Sequence, residues 1–373
     1  MTVTADRAPS MQIRDGVALV MFAQEFGYSV DLKVAERLIA STRPGLATGA
    51  RNPAGVEIVP RPLVIEQPPP AVTVAGHALE GPVRVTLYAF GAVSVAYRIP
   101  VTGPLEGLVG LSTALVTPAE LREDARRRVS ALMDALSPAI TRPLVADAIE
   151  DYTIFAIRAT EPGTAPVPLN ADGLGRQLIA RILRAEPASL SDEQVNDAVS
   201  GTVSYGPDDL AVIDWNAALL VDPEPDATIA ALELANTQLL ELRFLDDTLD
   251  RALGEAYEIT LRGSDRPAIL GGSIRRQSRR LARMQVDAAG LLQSVGNALK
   301  TYGDQHLARI HDTADRRLRL QDWERSVRVK LDALEAIYGK LRDAHHQIRS
   351  EILEWIIIVL IAVSIVFTLM GVH

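Results

Sequence analysis

The closing stretch of the chain, LEWIIIVLIAVSIVFTLMGVH, constrains its fold more than any other. From Trp355 to Val372 no residue is charged. As a helix that run rises about 27 Å, close to the roughly 30 Å hydrocarbon core of a bilayer. Trp355 opens the run, where an indole favours the headgroup level. Ile356, Ile357, Ile358, Val359, Leu360, Ile361, Val366, Phe367 and Leu369 continue its apolar surface. Ser364 and Thr368 lie one turn apart, so each hydroxyl can bond a carbonyl of the preceding turn. This spacing predicts one C-terminal transmembrane helix, inserted after synthesis as a tail anchor. The lipid bilayer is then the first expected partner.

Charge sets the expected orientation. The net charge of -9 is unevenly spread: basic residues outnumber acidic ones from Ile274 to Ser350, and the chain before that stretch is acidic. Basic residues beside a membrane segment stay on the cytoplasmic side. The expected location is therefore the inner (cytoplasmic) membrane, single-pass, with the N-terminal part cytoplasmic. The N-terminal MTVTADRAPSMQIRDGVALVMF has no basic region followed by a long apolar run, so no export signal is expected.

The 373 residues, 48% hydrophobic and 23% charged, suffice for a large globular core and are not the composition of a disordered chain. The absence of cysteine excludes disulfides and thiolate chemistry. Strand-like runs occur at VALVMF, PLVIEQ, VRVTLYAF, AVSVAYRI, YTIFAI and LAVID. VRVTLYAFGAVSVAYRIP reads as two antiparallel strands turning near Gly91, and the proline-rich RPLVIEQPPPAV as an edge. TPAELREDARRRVSALMDAL predicts a helix with Thr117 as cap, Pro118 at the first position and Glu120 completing a capping box. Ser191 and Gln194 repeat the device, and DGLGRQLIARILRAE predicts another helix.

After VDPEPDATIA the texture becomes helical. Leu281, Met284, Ala288, Leu291, Val295, Ala298 and Tyr302 alternate three- and four-residue steps. Val327, Leu331, Leu334, Tyr338, Leu341, His345, Ile348 and Ile352 do the same. Each set forms one narrow helical stripe; a coiled-coil-like antiparallel hairpin, the preferred reading, or a kink near Gly303 accounts for the break between them. The expected fold class is thus α+β: a mixed N-terminal α+β domain (1–225), a helical stalk (226–351) and the transmembrane helix (352–373).

Catalytic patterns are sparse. FLDDTLD places Asp246, Asp247 and Asp250 as in aspartate-rich sites that hold magnesium and a diphosphate, and carboxylates four apart share a helix face. Arg243 and Arg251, each four residues from Asp247, favour ordinary helical ion pairs instead. His306 and His311 do not share a helix face, His345 and His346 are adjacent, and no HExxH occurs, so no metal ligands are expected. P-loop and GxSxG patterns are missing, and no cofactor is expected. The basic cluster Arg275, Arg276, Arg279, Arg280 and Arg283 suits anionic lipid or RNA phosphates, or a solvated helix start.

QLLELRFLDDTLDRALGEAY, then NALKTYGDQHLARIHDTADRRLRLQDWERSVRVKLDALEAIYGKL, then LEWIIIVLIAVSIVF resemble, in that order, the required-for-meiotic-nuclear-division family in its bacterial branch. The resemblance is most specific over Leu232 to Phe367. It implies an α+β domain before a helical region and one C-terminal membrane helix, and no established catalytic residues. Eukaryotic relatives imply a role supporting translation or ribosome placement. Relatives often carry an acid within the membrane segment where this chain has Ser364.

The expected function is a non-enzymatic scaffold or tether at the cytoplasmic membrane face, self-associating through the stalk, with ribosome or RNA contact. The alternatives are a magnesium-dependent enzyme acting on a membrane-derived diphosphate through Asp246, Asp247 and Asp250, and an RNA-binding module.

Overall fold

The computed structural model describes residues 11–42, 56–146, 148–161, 173–206, 209–263, 282, 286, 288–290, 292, 301–302 and 305–369. In chain order its elements are β1 (Gln12–Glu25), β2 (Gly27–Val30), α1 (Leu32–Thr42), β3 (Val56–Glu57), β4 (Leu63–Gln67), β5 (Thr73–Val74) and β6 (His77–Ala78). Then come β7 (Val83–Leu87), β8 (Ala92–Pro104), α2 (Gly107–Ala114), α3 (Ala119–Leu136), β9 (Ile140–Pro143), β10 (Ile149–Thr160), α4 (Gly173–Arg184) and α5 (Asp192–Ala198). The last are β11 (Thr202–Val203), β12 (Leu210–Ile213), β13 (Ala217–Val221), α6 (Asp226–Gly263), β14 (Thr301–Tyr302), α7 (Gln305–Leu318) and α8 (Leu320–Leu369). The chain divides into two compact units: Met1–Phe244 with Leu291–Trp323, and Leu245–Gly290 with Glu324–His373.

In the first unit an eight-stranded sheet runs in the order β11-β12-β13-β10-β1-β8-β7-β4. All its pairings are antiparallel except β10 with β13, which are parallel and joined through α4, α5 and the β11–β12 hairpin. β1 is apolar on both faces, the pattern of a strand covered above and below. Ala18, Val20 and Phe22 face a core completed by Val93, Val95, Tyr97 and residues of α1 to α5. Val17, Leu19 and Met21 face the opposite core, with Ile229, Leu232, Ala235, Leu239 and Leu242 of α6 and Ile310, Ala314 and Leu318 of α7. The sheet is therefore a middle layer between two layers of helices.

The expected strands all form. β7 and β8 make the antiparallel hairpin around Gly91, whose φ of 106° only glycine adopts without strain. β4 stands at the sheet edge, and Pro68, Pro69 and Pro70 follow it directly. Ser191 caps α5, its side chain accepting from the Gln194 N–H at 3.4 Å. The α3 start differs from expectation: Pro118 is the cap residue, no side chain caps it, and the Thr117 carbonyl accepts from the Ala119 N–H.

In the second unit α6 and α8 lie side by side and ascend together. Ser326 Oγ donates to Asp246 at 2.7 Å, and one turn later Lys330 reaches Asp246 at 2.8 Å and Asp250 at 2.6 Å. Leu249, Ala252 and Ala256 of α6 and Val327 and Leu334 of α8 are all fully buried. The described helix pair is thus parallel and joins α6 to α8. The other expected stripe lies largely outside the described residues. Of it, Ala288 is buried, and Tyr302 belongs to strand β14, paired with Val56 of β3 rather than sitting on a helix.

The expected transmembrane helix is corrected. Among the described residues no helix is long and apolar enough to cross a membrane. α8 carries charged residues from Asp322 to Glu354, over most of its length. The transmembrane element of the fold class, the tail anchor and the single-pass location in the cytoplasmic membrane lose their support with it.

Candidate functional site

Period-two alternation puts Glu25 on the face of β1 that also carries Val17, Leu19, Met21 and Ala23, the face packed against α6. On β8 the same face presents Ala92, Ser94 and Ala96, and on β7 Arg84 and Thr86. The register sets Ser94 opposite both Ala23 and Thr86, and Glu25 opposite Ala92. Above them α6 presents Glu233, Thr237 and Glu241, four residues apart and so on one side of the helix. The result is a polar seam through an otherwise apolar layer.

One end of the seam is partly satisfied, Glu233 Oε1 staying buried without a partner among the described residues. Arg84 donates to Glu233 at 3.1 Å, and Thr237 Oγ1 donates to the Glu233 carbonyl at 2.8 Å. At the other end Glu25 and Glu241 meet, 1% and 0% exposed. Burial, followed by repulsion from Glu241 and a hydrogen bond to it, holds Glu25 well above the ordinary carboxylate range. Burial likewise raises Glu241. Among the described residues Glu25 Oε2, both Glu241 carboxylate oxygens, Ser94 Oγ and Thr86 Oγ1 are buried without another hydrogen-bond partner. Such a group can hold a proton between two carboxyls or offer hard oxygen donors to a cation. Among the described residues no three or more His, Cys, Asp or Glu side chains form a metal-holding group.

Other buried charges of the first unit are neutralised internally. Asp214, wholly buried after β12, is held by Arg184 at 2.5 Å and by Arg317 of α7, and both arginines also bind Asp197. Hydrogen bonds from Arg317 chiefly hold Asp197 below its usual range, against a weaker effect of burial. On the opposite sheet face Tyr97 donates to Asp124 at 2.8 Å, and Arg128 clamps Asp124, Gln67 and the Pro68 carbonyl.

The aspartate-rich stretch does not converge on one point. Asp246 and Asp250 bind Lys330, whereas Asp247 pairs with Arg251 at 3.4 Å on an exposed flank. Arg243 donates to Glu150 at 2.9 Å and lies over the Trp323 ring. His306 meets the edge of Tyr205, and burial lowers the pKa of His311. Arg275, Arg276, Arg279, Arg280 and Arg283 lie outside the described residues, as do the side chains of His345, His346, Phe367 and Leu369. Trp355, Ile356, Ile357, Ile358, Val359, Leu360, Ile361 and Val366 are exposed on every side of α8. The sequence signal for the seam was the four-residue spacing of Glu233, Thr237 and Glu241 inside an apolar helix.

Residues 15–228 match the family described as Uncharacterized protein MJ0711, N-terminal domain. The Uncharacterized protein MJ0711 of Methanocaldococcus jannaschii is 22% identical over 224 residues, 59% of this chain and 66% of that protein. The match thus spans just under two thirds of the relative's length. The family match includes Glu25, Thr86 and Ser94 and ends before Glu241.

Proposed function

The chain belongs to the family of the MJ0711 N-terminal domain, and from its second unit we propose a non-enzymatic scaffold that assembles with further copies of itself through the apolar end of α8. One observation carries this reading. The stripe that includes the buried Val327 and Leu334 continues in the same three- and four-residue steps through Trp355, Val359, Ala362 and Val366. Early in the stripe Val327 and Leu334 are fully buried; later Trp355 is 67%, Val359 55% and Val366 49% exposed. A run of large apolar side chains on all sides of a helix marks an interaction surface. The same repeat in other copies is the complementary partner, since a sustained 3.5-residue period lets like helices wind together. The resemblance to the required-for-meiotic-nuclear-division family favours the translation machinery as what such an assembly serves.

The test is the mass of the full chain in solution, measured by light scattering over a hundredfold dilution. The unaltered protein is expected as an oligomer that dissociates on dilution. Changing Trp355, Val359 and Val366 together to Ser is expected to raise the dissociation constant at least tenfold. Equal masses for the two proteins, or a monomer that floats with lipid vesicles instead of assembling, overturn the reading.

A further inference from the structure

The structure assigns a binding site for a hard divalent cation, calcium in preference, to the seam between β1 and α6, with the carboxylates of Glu25 and Glu241 and the hydroxyl of Ser94 as protein ligands. This inference is independent of the assembly through α8. It stands first on the donor set: the seam presents only oxygens at this end, and hard cations take oxygen ligands. It stands second on Ser94. That residue is 1% exposed, its hydroxyl has no partner among the described residues, and it sits on the same sheet face diagonal to Glu25.

The neighbours fit as well. On that face the strand neighbours of Glu25 and Ser94 are Ala23, Ala92 and Ala96, whose methyl groups bring no competing cation or hydrogen-bond donor to the carboxylates. Arg84, the cation of the seam, is bound to Glu233 two turns away from Glu241 and does not neutralise the carboxylate pair. Two carboxylates match the charge of one divalent ion. Thr86 Oγ1, opposite Ser94, extends the oxygen set. Calcium is preferred because it accepts six to eight oxygens in a flexible arrangement, whereas magnesium requires near-octahedral geometry and retains its waters.

Thermal unfolding of the full chain tests this, first in chelator and then with calcium chloride, magnesium chloride or potassium chloride at constant ionic strength. A saturable rise in Tm of several degrees with calcium, and a smaller one with magnesium, is expected because the ion binds only the folded state. Glu25→Gln and Glu241→Gln should each abolish the rise, and Ser94→Ala should shift its midpoint at least tenfold to higher calcium. A Tm that is the same in chelator and in calcium overturns the site and leaves a proton between the carboxyls. A rise undiminished in Glu241→Gln also overturns it. Should either Gln variant fail to fold, the titration of the unaltered chain and of Ser94→Ala decides.

Discussion

Glu241 illustrates how one buried acid governs stability. Its pKa and that of Glu25 are raised in the folded chain, so both are protonated alike in folded and unfolded states only below the ordinary glutamate value of 4.5. Above it the unfolded chain releases protons that the folded chain retains. The contribution of this pair is therefore full at low pH and declines from 4.5 up to the raised values, by at most about 1.4 kcal/mol per pH unit for each group. Glu241→Gln in the presence of chelator should flatten this decline, measured as urea stability at a series of pH values. An unchanged slope would assign the pH dependence to other groups. Helical spacing groups Glu241 with Glu233 and Thr237, but nothing local in the sequence brings Glu241 to Glu25. Alternation identifies which face of β1 Glu25 occupies, but only the packing of the structure reveals that α6 covers that face. Asp246, Asp247 and Asp250 were conspicuous in the sequence for their spacing, yet Lys330, 80 residues further on, occupies two of them.

Elements were more legible where local chemistry decides them. The β7–β8 hairpin follows from two apolar runs around a glycine, and the structure adds why no other residue fits there. A Cβ on Gly91 would lie 1.8 Å from the Gly27 carbonyl oxygen, and the Gly91 carbonyl accepts from the N–H groups of Phe26 and Gly27. Gly91→Ala should accordingly cost at least about 3 kcal/mol in a urea melt, combining strain at positive φ with displacement of the β1–β2 corner. A loss below about 1 kcal/mol would show that the corner yields. The α3 start was misread because Thr117 satisfies the capping pattern in sequence while Pro118 takes the cap position. The apolar end of α8 reads in sequence as a membrane span, whereas among the described residues no helix is long and apolar enough to cross a membrane.

At the scale of the molecule, assembly through α8 predicts a Tm that rises with protein concentration, because association stabilises the folded state by mass action. Calorimetry over a hundredfold concentration range should resolve a shift of several degrees, and a Tm that does not move argues for a single-chain unit. Sequence patterns distinguished the mixed first part from the helical second, since the hydrophobic period changes from two to about 3.5. They did not reveal that Leu291–Trp323 returns to the first unit, where α7 covers the sheet. Such a return depends on long-range packing that no local window records. The position of β1 also matters for how the protein is made. Among the described strands of the sheet the ribosome releases this one before the others, yet its two flanking strands are β8 and β10, the second of which ends at Thr160. At about 5–20 residues per second, this largely apolar strand waits on the order of ten seconds for its second neighbour. Nascent chains of this protein should therefore depend on a holding chaperone until β10 emerges.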